Sequence, residues 1–160
     1  MIVDKIRAVA LAGIIILGLM TAGQFWLEHR VAEPFSEVSV LGPSMTIGGY
    51  PSTVSAGQNA SFFVRVSNHE GHVAYYDVRT KVGDMTTVVN QTAWADLPTS
   101  LDERVILVDG ENSTLPMQLA FLQPANDTKV IFEVWVFNSA VNGFQYSGLW
   151  GQILLNVTAP

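Results

Sequence analysis

Between Ala8 and Gly23 the chain carries no charge and only one polar side chain, Thr21. A helix that is apolar all round must be buried in a large core or in lipid. Lys5 and Arg7 precede the run, and Gln24-Phe25-Trp26-Leu27 follows it. A bilayer core of about 30 Å needs about 20 mostly apolar helical residues. Ile6 to Leu27 supplies that length and places Trp26 where an indole sits at the far interface. A cleaved secretory signal has a shorter apolar region, about 7–15 residues, ending at a small-x-small site. Thr21-Ala22-Gly23 is a poor site of that kind, so a retained transmembrane helix is the expectation. Residues 1–30 then form the membrane anchor and residues 31–160 one extracytoplasmic domain of ordinary size.

The formal charge of −6 belongs to that outer domain. Residues 1–34 hold three acids and three bases, and residues 35–160 hold eleven acids and five bases. Such a surface repels phosphate backbones, which excludes nucleic acid as a partner. Lys5 and Arg7 lie before the helix and Arg30 after it, so the positive-inside bias puts the N-terminus in the cytoplasm. Sequons at Asn59, Asn90, Asn112, Asn126 and Asn156 all follow the helix. They agree with an outer location and imply N-linked glycans. The chain has no Cys, which removes disulfides, thiolate metal sites and thiol catalysis together.

Beyond Glu33-Pro34 the period changes to two. Phe35 to Leu41 alternates and ends at Gly42-Pro43. Ser61 to Asn68 is a clean strand, with Phe62, Val64 and Val66 on one face and Ser61, Arg65 and Ser67 on the other. His72 to Val82 is extended with ambiguous facing. Met85 to Val89, Val105 to Val108 and Leu115 to Leu122 are further short strand candidates. Lys129 to Asn138 is apolar on both faces, as in a central strand with its outer side partly covered. Trp135 lies in this run and is expected to be largely buried. Leu149 to Val157 alternates again with Leu149, Ile153, Leu155 and Val157 inward. No helical period follows residue 30, and Asn90 to Leu101 has no assigned element. The fold class is therefore all-β, an immunoglobulin-like antiparallel sandwich after one N-terminal transmembrane helix.

The ordered motifs Phe35-Ser36-Glu37, Leu41-Gly42-Pro43, Gly49-Tyr50-Pro51, Ala56-Gly57-Gln58 and Val66-Ser67-Asn68-His69-Glu70 resemble a family of archaeal membrane proteins. The closing strand Leu149 to Thr158 also fits its pattern. That family is a domain of unknown function with an immunoglobulin-like outer part, and the likeness spans about residues 35–158. The resemblance implies fold and location rather than an activity. Family members often carry several transmembrane helices where this chain has one.

Candidate chemistry is sparse. His69 and His72 are the candidate metal ligands, but His69-Glu70-Gly71-His72 is one residue short of the His-Glu-x-x-His spacing and sits at an expected hairpin turn. Asp102-Glu103 and Asp109-Gly110-Glu111-Asn112 match no calcium-loop spacing. No nucleophile elbow and no phosphate-cradling Gly loop occurs. Neither enzymatic activity nor a cofactor is expected. Phe63 and Trp150 have outward parity and are the candidate partner contacts. Gly18 and Ala22, one turn apart, would let a second helix pack closely in the bilayer. The expectation is a single-pass glycoprotein of the cell membrane, in contact with lipid and with other membrane subunits, acting as an accessory subunit of a larger assembly. An archaellin- or pilin-like filament subunit is the alternative, since those proteins also join an apolar helix to a β-rich head. A sugar-binding or adhesion module at the cell surface is another.

Overall fold

A computed structural model describes residues 2–28 and 33–160. The chain divides into two compact units, Met1–Glu33 and Pro34–Pro160. The first contains one helix, α1 (Ile2–Glu28). Its side chains are described at Val3, Arg7 and from Leu11 to Phe25, and every one of these is exposed. Thr21 is satisfied within the helix, its hydroxyl lying 3.0 Å from the carbonyls of Leu17 and Gly18. Over the described residues, no helix is long and apolar enough to cross a membrane. The side chain of Trp26, and residues His29 and Arg30, lie outside what is described.

The second unit has eight strands: β1 (Phe35–Leu41), β2 (Thr53–Ser55), β3 (Asn59–His69), β4 (Ala74–Gly83), β5 (Thr99–Leu107), β6 (Asn112–Ala120), β7 (Ala125–Asn138) and β8 (Gly143–Thr158). They form a three-stranded sheet, β1-β3-β6, and a five-stranded sheet, β2-β8-β7-β4-β5. All pairings are antiparallel except β2 with β8. The core lies between the sheets. Phe62, Val64 and Val66 of β3 and Met117 of β6 face Tyr76 and Val78 of β4, Val130, Phe132 and Val134 of β7, and Leu155 of β8. Phe62 and Phe132 meet edge to face at 5.6 Å. The period-two alternation of β3 and β8 follows from this burial on one side.

Two expectations about strands are corrected. Met85 to Val89 is not a strand but part of the irregular segment 84–98. Asp84 opens it by accepting hydrogen bonds from the Thr86 amide and hydroxyl, which bends the chain away from the sheet. Val105 to Leu107 is the end of a longer strand, β5, that begins at Thr99, and Val108 lies beyond it. Trp135 is also not in the core. Odd-numbered residues of β7 face outward, and Trp135 is half-buried on the outer surface of the five-stranded sheet.

Candidate binding face

The outer surface of the five-stranded sheet carries charges that no ordinary exposed face would hide. Asp77, Lys81 and Glu133 are buried there, at 0%, 4% and 0% exposure. Lys81 and Glu133 are hidden because segment 84–98 lies across β4, β7 and β8, whereas Asp77 lies between Arg79 and Arg104. Glu133 accepts a hydrogen bond from the Ala95 amide at 2.6 Å through one oxygen. Its other oxygen pairs with Lys81 Nζ at 3.0 Å and accepts from the Trp135 indole at 3.0 Å. Lys81 Nζ also donates to the Ala95 carbonyl at 2.7 Å, and Lys129 Nζ reaches the Thr87 carbonyl at 2.8 Å. A buried ion pair is tolerated only when its remaining donors and acceptors are satisfied, and here both partners use them to hold the segment's backbone. A small apolar cluster of Val89, Ala95 and Ile131, with Leu97 and Trp150 against it, completes the seal. Gly148, at φ +80°, lets the segment approach β8: a Cβ there would lie 2.6 Å from the Gln91 carbonyl oxygen.

Past the edge of that cover the sheet presents aromatic rings. Trp94, from the segment, packs on Trp135 at 5.6 Å and on Tyr146 at 6.4 Å, and Trp135 meets Tyr146 at 5.7 Å. Tyr75, Phe137 and Phe144 form a second cluster with centroids 5.0–6.1 Å apart. Arg79 lies over Trp135 at 4.1 Å and Arg104 over Phe144 at 5.2 Å. Asp77 fixes both guanidinium groups, accepting from Arg79 at 2.8 Å and from Arg104 at 3.3 Å. That pairing raises the Arg104 pKa further above its ordinary value. The cations sit against ring faces, where the aromatic quadrupole attracts them. Between the segment and the rings is a cleft of about 500 Å³, walled by Trp94, Trp135, Phe144 and Tyr146 with Gln91 and Gln145 at its rim. The Tyr146 hydroxyl donates to the Asn90 carbonyl at 2.8 Å. Burial, and then the negative charge of Glu133, push the Tyr146 pKa up to about 12.

Of the residues expected to be functional, Trp150 has the outward parity assigned to it but is covered by segment 84–98 rather than free for a partner. Phe63 is half-buried, paired across β3 with Leu41 and Pro116 on its two sides. His69 stacks on Phe35 at 4.8 Å, and His72 Nδ1 lies 2.9 Å from the Glu70 carbonyl. Among the described residues no three His, Asp or Glu side chains converge as metal ligands would. The five sequon residues Asn59, Asn90, Asn112, Asn126 and Asn156 are all exposed. Asn112 and Asn126 stand on β6 and β7. Gly18 and Ala22 are exposed on α1, and a Cβ on Gly18 would meet nothing within 4 Å. The aromatic cleft was not among the expected sites. Its signal in the sequence was Glu133 within a strand otherwise apolar on both faces, and the charges Asp77, Arg79 and Lys81 on one face of β4.

Residues 30–144 match the family described as Domain of unknown function (DUF1616). The chain belongs to this family. No curated protein matches it. Among solved structures, a CARDB domain from Pyrococcus furiosus, crystallised in complex with di-metal ions, is 15% identical with a TM-score of 0.51. That match covers 80% of this DUF1616 chain and 96% of the CARDB domain. The solution structure of the same domain gives 15% identity and a TM-score of 0.50, covering 80% and 98%. At this identity the likeness establishes an immunoglobulin-like sandwich and no more. A β-glucosidase from Listeria innocua is also similar in part, at 14% identity and a TM-score of 0.49. The chain covers only 16% of that enzyme's length, with 78% of this chain matched.

Proposed function

We propose that this DUF1616 chain is a membrane-anchored, extracytoplasmic sandwich that serves as a non-catalytic accessory subunit of a larger membrane assembly. The observation that carries the reading is the uncovered apolar surface of α1. Leu11, Ile14, Leu17 and Leu19 are 63%, 70%, 65% and 69% exposed. Withdrawing one such side chain from water is worth about 1.5–3 kcal/mol, so a helix with this composition needs lipid or partner helices around it. The span itself is a reading of the sequence, Ala8 to Gly23 with its flanks, of which the described side chains cover a part. Lys5 and Arg7 support a cytoplasmic N-terminus. The five exposed sequons support an outer sandwich open to glycosylation. Gly18 and Ala22 would admit a neighbouring helix at close range.

The sandwich's own contact surface is then the uncovered end of the outer sheet face rather than Phe63 and Trp150. Ile106, at 62% exposure, lies opposite Tyr75 on neighbouring strands, and Val73 and Val108 are 58% and 47% exposed nearby in the chain. The test is extraction of native membranes with alkaline carbonate, followed by purification in mild detergent. The full chain is expected to stay with the membrane and to co-purify with another integral membrane protein. Release by carbonate would overturn the anchor, and a lone monomer in detergent would overturn the subunit role.

A further inference from the structure

The cleft between segment 84–98 and the outer sheet has walls held by hydrogen bonds and an exposed rim whose polar groups are largely unused within the chain. Trp135 is held by its hydrogen bond to Glu133 and by Arg79 over one face, and Tyr146 is held by Asn90. At the mouth, the Trp94 indole N–H and the Gln91 side chain make no hydrogen bond, and Gln145 uses only its oxygen, which accepts from Asn138 at 2.6 Å. Apolar ring faces beside a few free amide and indole groups suit a ligand that has both a C–H face and hydroxyls. A pyranose ring is such a ligand. No charged side chain is among the residues that line the cleft, and the guanidinium groups of Arg79 and Arg104, which lie against the Trp135 and Phe144 rings, are paired with Asp77, so a neutral ring fits better than a charged one.

The chain itself carries an attachment point for a pyranose at the rim. Gln91 and Thr92, which line the cleft, are the second and third residues of the sequon that begins at Asn90. The Asn90 amide donates to the Ala93 carbonyl at 2.9 Å, closing a tight turn that brings Trp94 back beside Asn90. Asn90 Oδ1 accepts from the Thr92 amide at 2.9 Å, from the Thr92 hydroxyl at 3.0 Å and from the Ala93 amide at 2.9 Å. The amide nitrogen Nδ2, the atom that takes the sugar, makes no hydrogen bond. None of the other four sequons contributes a residue to the cleft. We propose that Asn90 is a glycosylation site: Nδ2 loses a proton and bonds to the anomeric carbon of an activated glycosyl phosphate donor as the C1–O bond breaks and the phosphate leaves, and the attached sugar folds back into this cleft and stacks on Trp94, pinning segment 84–98 to the sheet. Covalent attachment keeps the sugar beside the cleft at a high effective concentration, so a weak stacking contact is enough to fill it.

The inference rests on the outer location proposed above, and the experiment separates the two. The full chain is isolated in detergent from a host that glycosylates it, and each sequon is read by peptide mass spectrometry. Asn90→Gln and Asn59→Gln are compared with the unsubstituted chain, alone and combined with Trp94→Ala. Sugar on Asn90 is expected. Asn90→Gln should lower Tm by roughly 3–6 °C more in that host than in one that does not glycosylate, where it loses only the hydrogen bonds of its turn, and Asn59→Gln should show no such difference. In the Trp94→Ala background that difference between hosts should vanish, as for two groups acting through one contact. Sugar protons should show upfield ring-current shifts that Trp94→Ala abolishes. Sugar at other sequons but none at Asn90 would overturn the inference and leave the location standing. Sugar at Asn90 without ring-current shifts, and with Asn90→Gln lowering Tm equally in both hosts, would mean a glycan in solvent and would also overturn it. No sugar at any of the five would overturn the inference and the outer location together.

Discussion

Strands β4 and β7 show two solutions to burial on the two sides of the same backbone. Their even-numbered residues, Tyr76 and Val78 with Val130, Phe132 and Val134, enter a core packed against β3 and β6. Of their odd-numbered residues, Lys81, Ile131, Glu133 and Trp135 are packed against a segment with no regular structure, and Asp77 is enclosed by Arg79 and Arg104. The inner face is held by apolar contact, which is non-directional and tolerates repacking. The outer face is held by a few directed bonds through Glu133 and Lys81, and these fix where segment 84–98 lies. The inner side therefore makes the sandwich stable, and the outer side shapes the cleft.

The largest effects should separate the two faces by how they can be rescued. Phe132→Ala removes a fully buried ring and should cost about 3–5 kcal/mol of unfolding free energy. Glu133→Ala leaves the Lys81 charge buried without its carboxylate and should also cost about 3–5 kcal/mol. The double substitution Lys81→Met with Glu133→Leu removes both charges and should recover most of that loss. Urea unfolding of the full chain, followed by circular dichroism, reads all three. A double variant no more stable than Glu133→Ala would mean that the bonds to Ala95, rather than charge pairing, hold the outer face.

The inner face was largely legible in the sequence. Phe62, Val64 and Val66, and Ile153, Leu155 and Val157, alternate against polar neighbours because one side of their strands packs and the other meets water. The outer face was only half legible. Both-sided apolarity in Lys129 to Asn138 correctly implied a covered strand, but nothing local said what covers it. The cover is segment 84–98, joined to the sheet by contacts such as Ala95 with Glu133, far apart in the chain. Period and propensity do not encode such contacts, and the same ambiguity put Trp135 in the core and left Trp150 free.

Trp135→Ala should have a smaller effect than Phe132→Ala, because Trp135 is half-buried and part of its worth is directional. Its contacts with Arg79, Trp94 and Tyr146 suggest a loss of about 2 kcal/mol. Limited proteolysis should then cut within segment 84–98 faster than in the unsubstituted chain, while the inner core keeps its protection from hydrogen exchange. A loss equal to that of Phe132→Ala, with no change in proteolysis, would put Trp135 on the same footing as the core.

The smallest effect is expected from Tyr146, and it appears only at alkaline pH. Its ordinary value is 10.0 and its value in the folded chain is about 12. Burial disfavours the phenolate, and the charge of Glu133 adds to that. The folded state therefore holds this proton more tightly than the unfolded state. The resulting stability is fully present below the unfolded pKa, near 10, and is lost as pH rises through about 12. Tyr146→Phe removes the titrating group, so between those limits the variant should lose less stability with rising pH than the unsubstituted chain. The hydrogen bond to Asn90 is lost at every pH, which gives the variant a constant offset rather than a slope. Phenolate absorbance near 295 nm and thermal melting, taken across the same pH series, separate slope from offset. Identical slopes would mean that Tyr146 is already solvated in the folded chain and that the cleft's wall stands open to water.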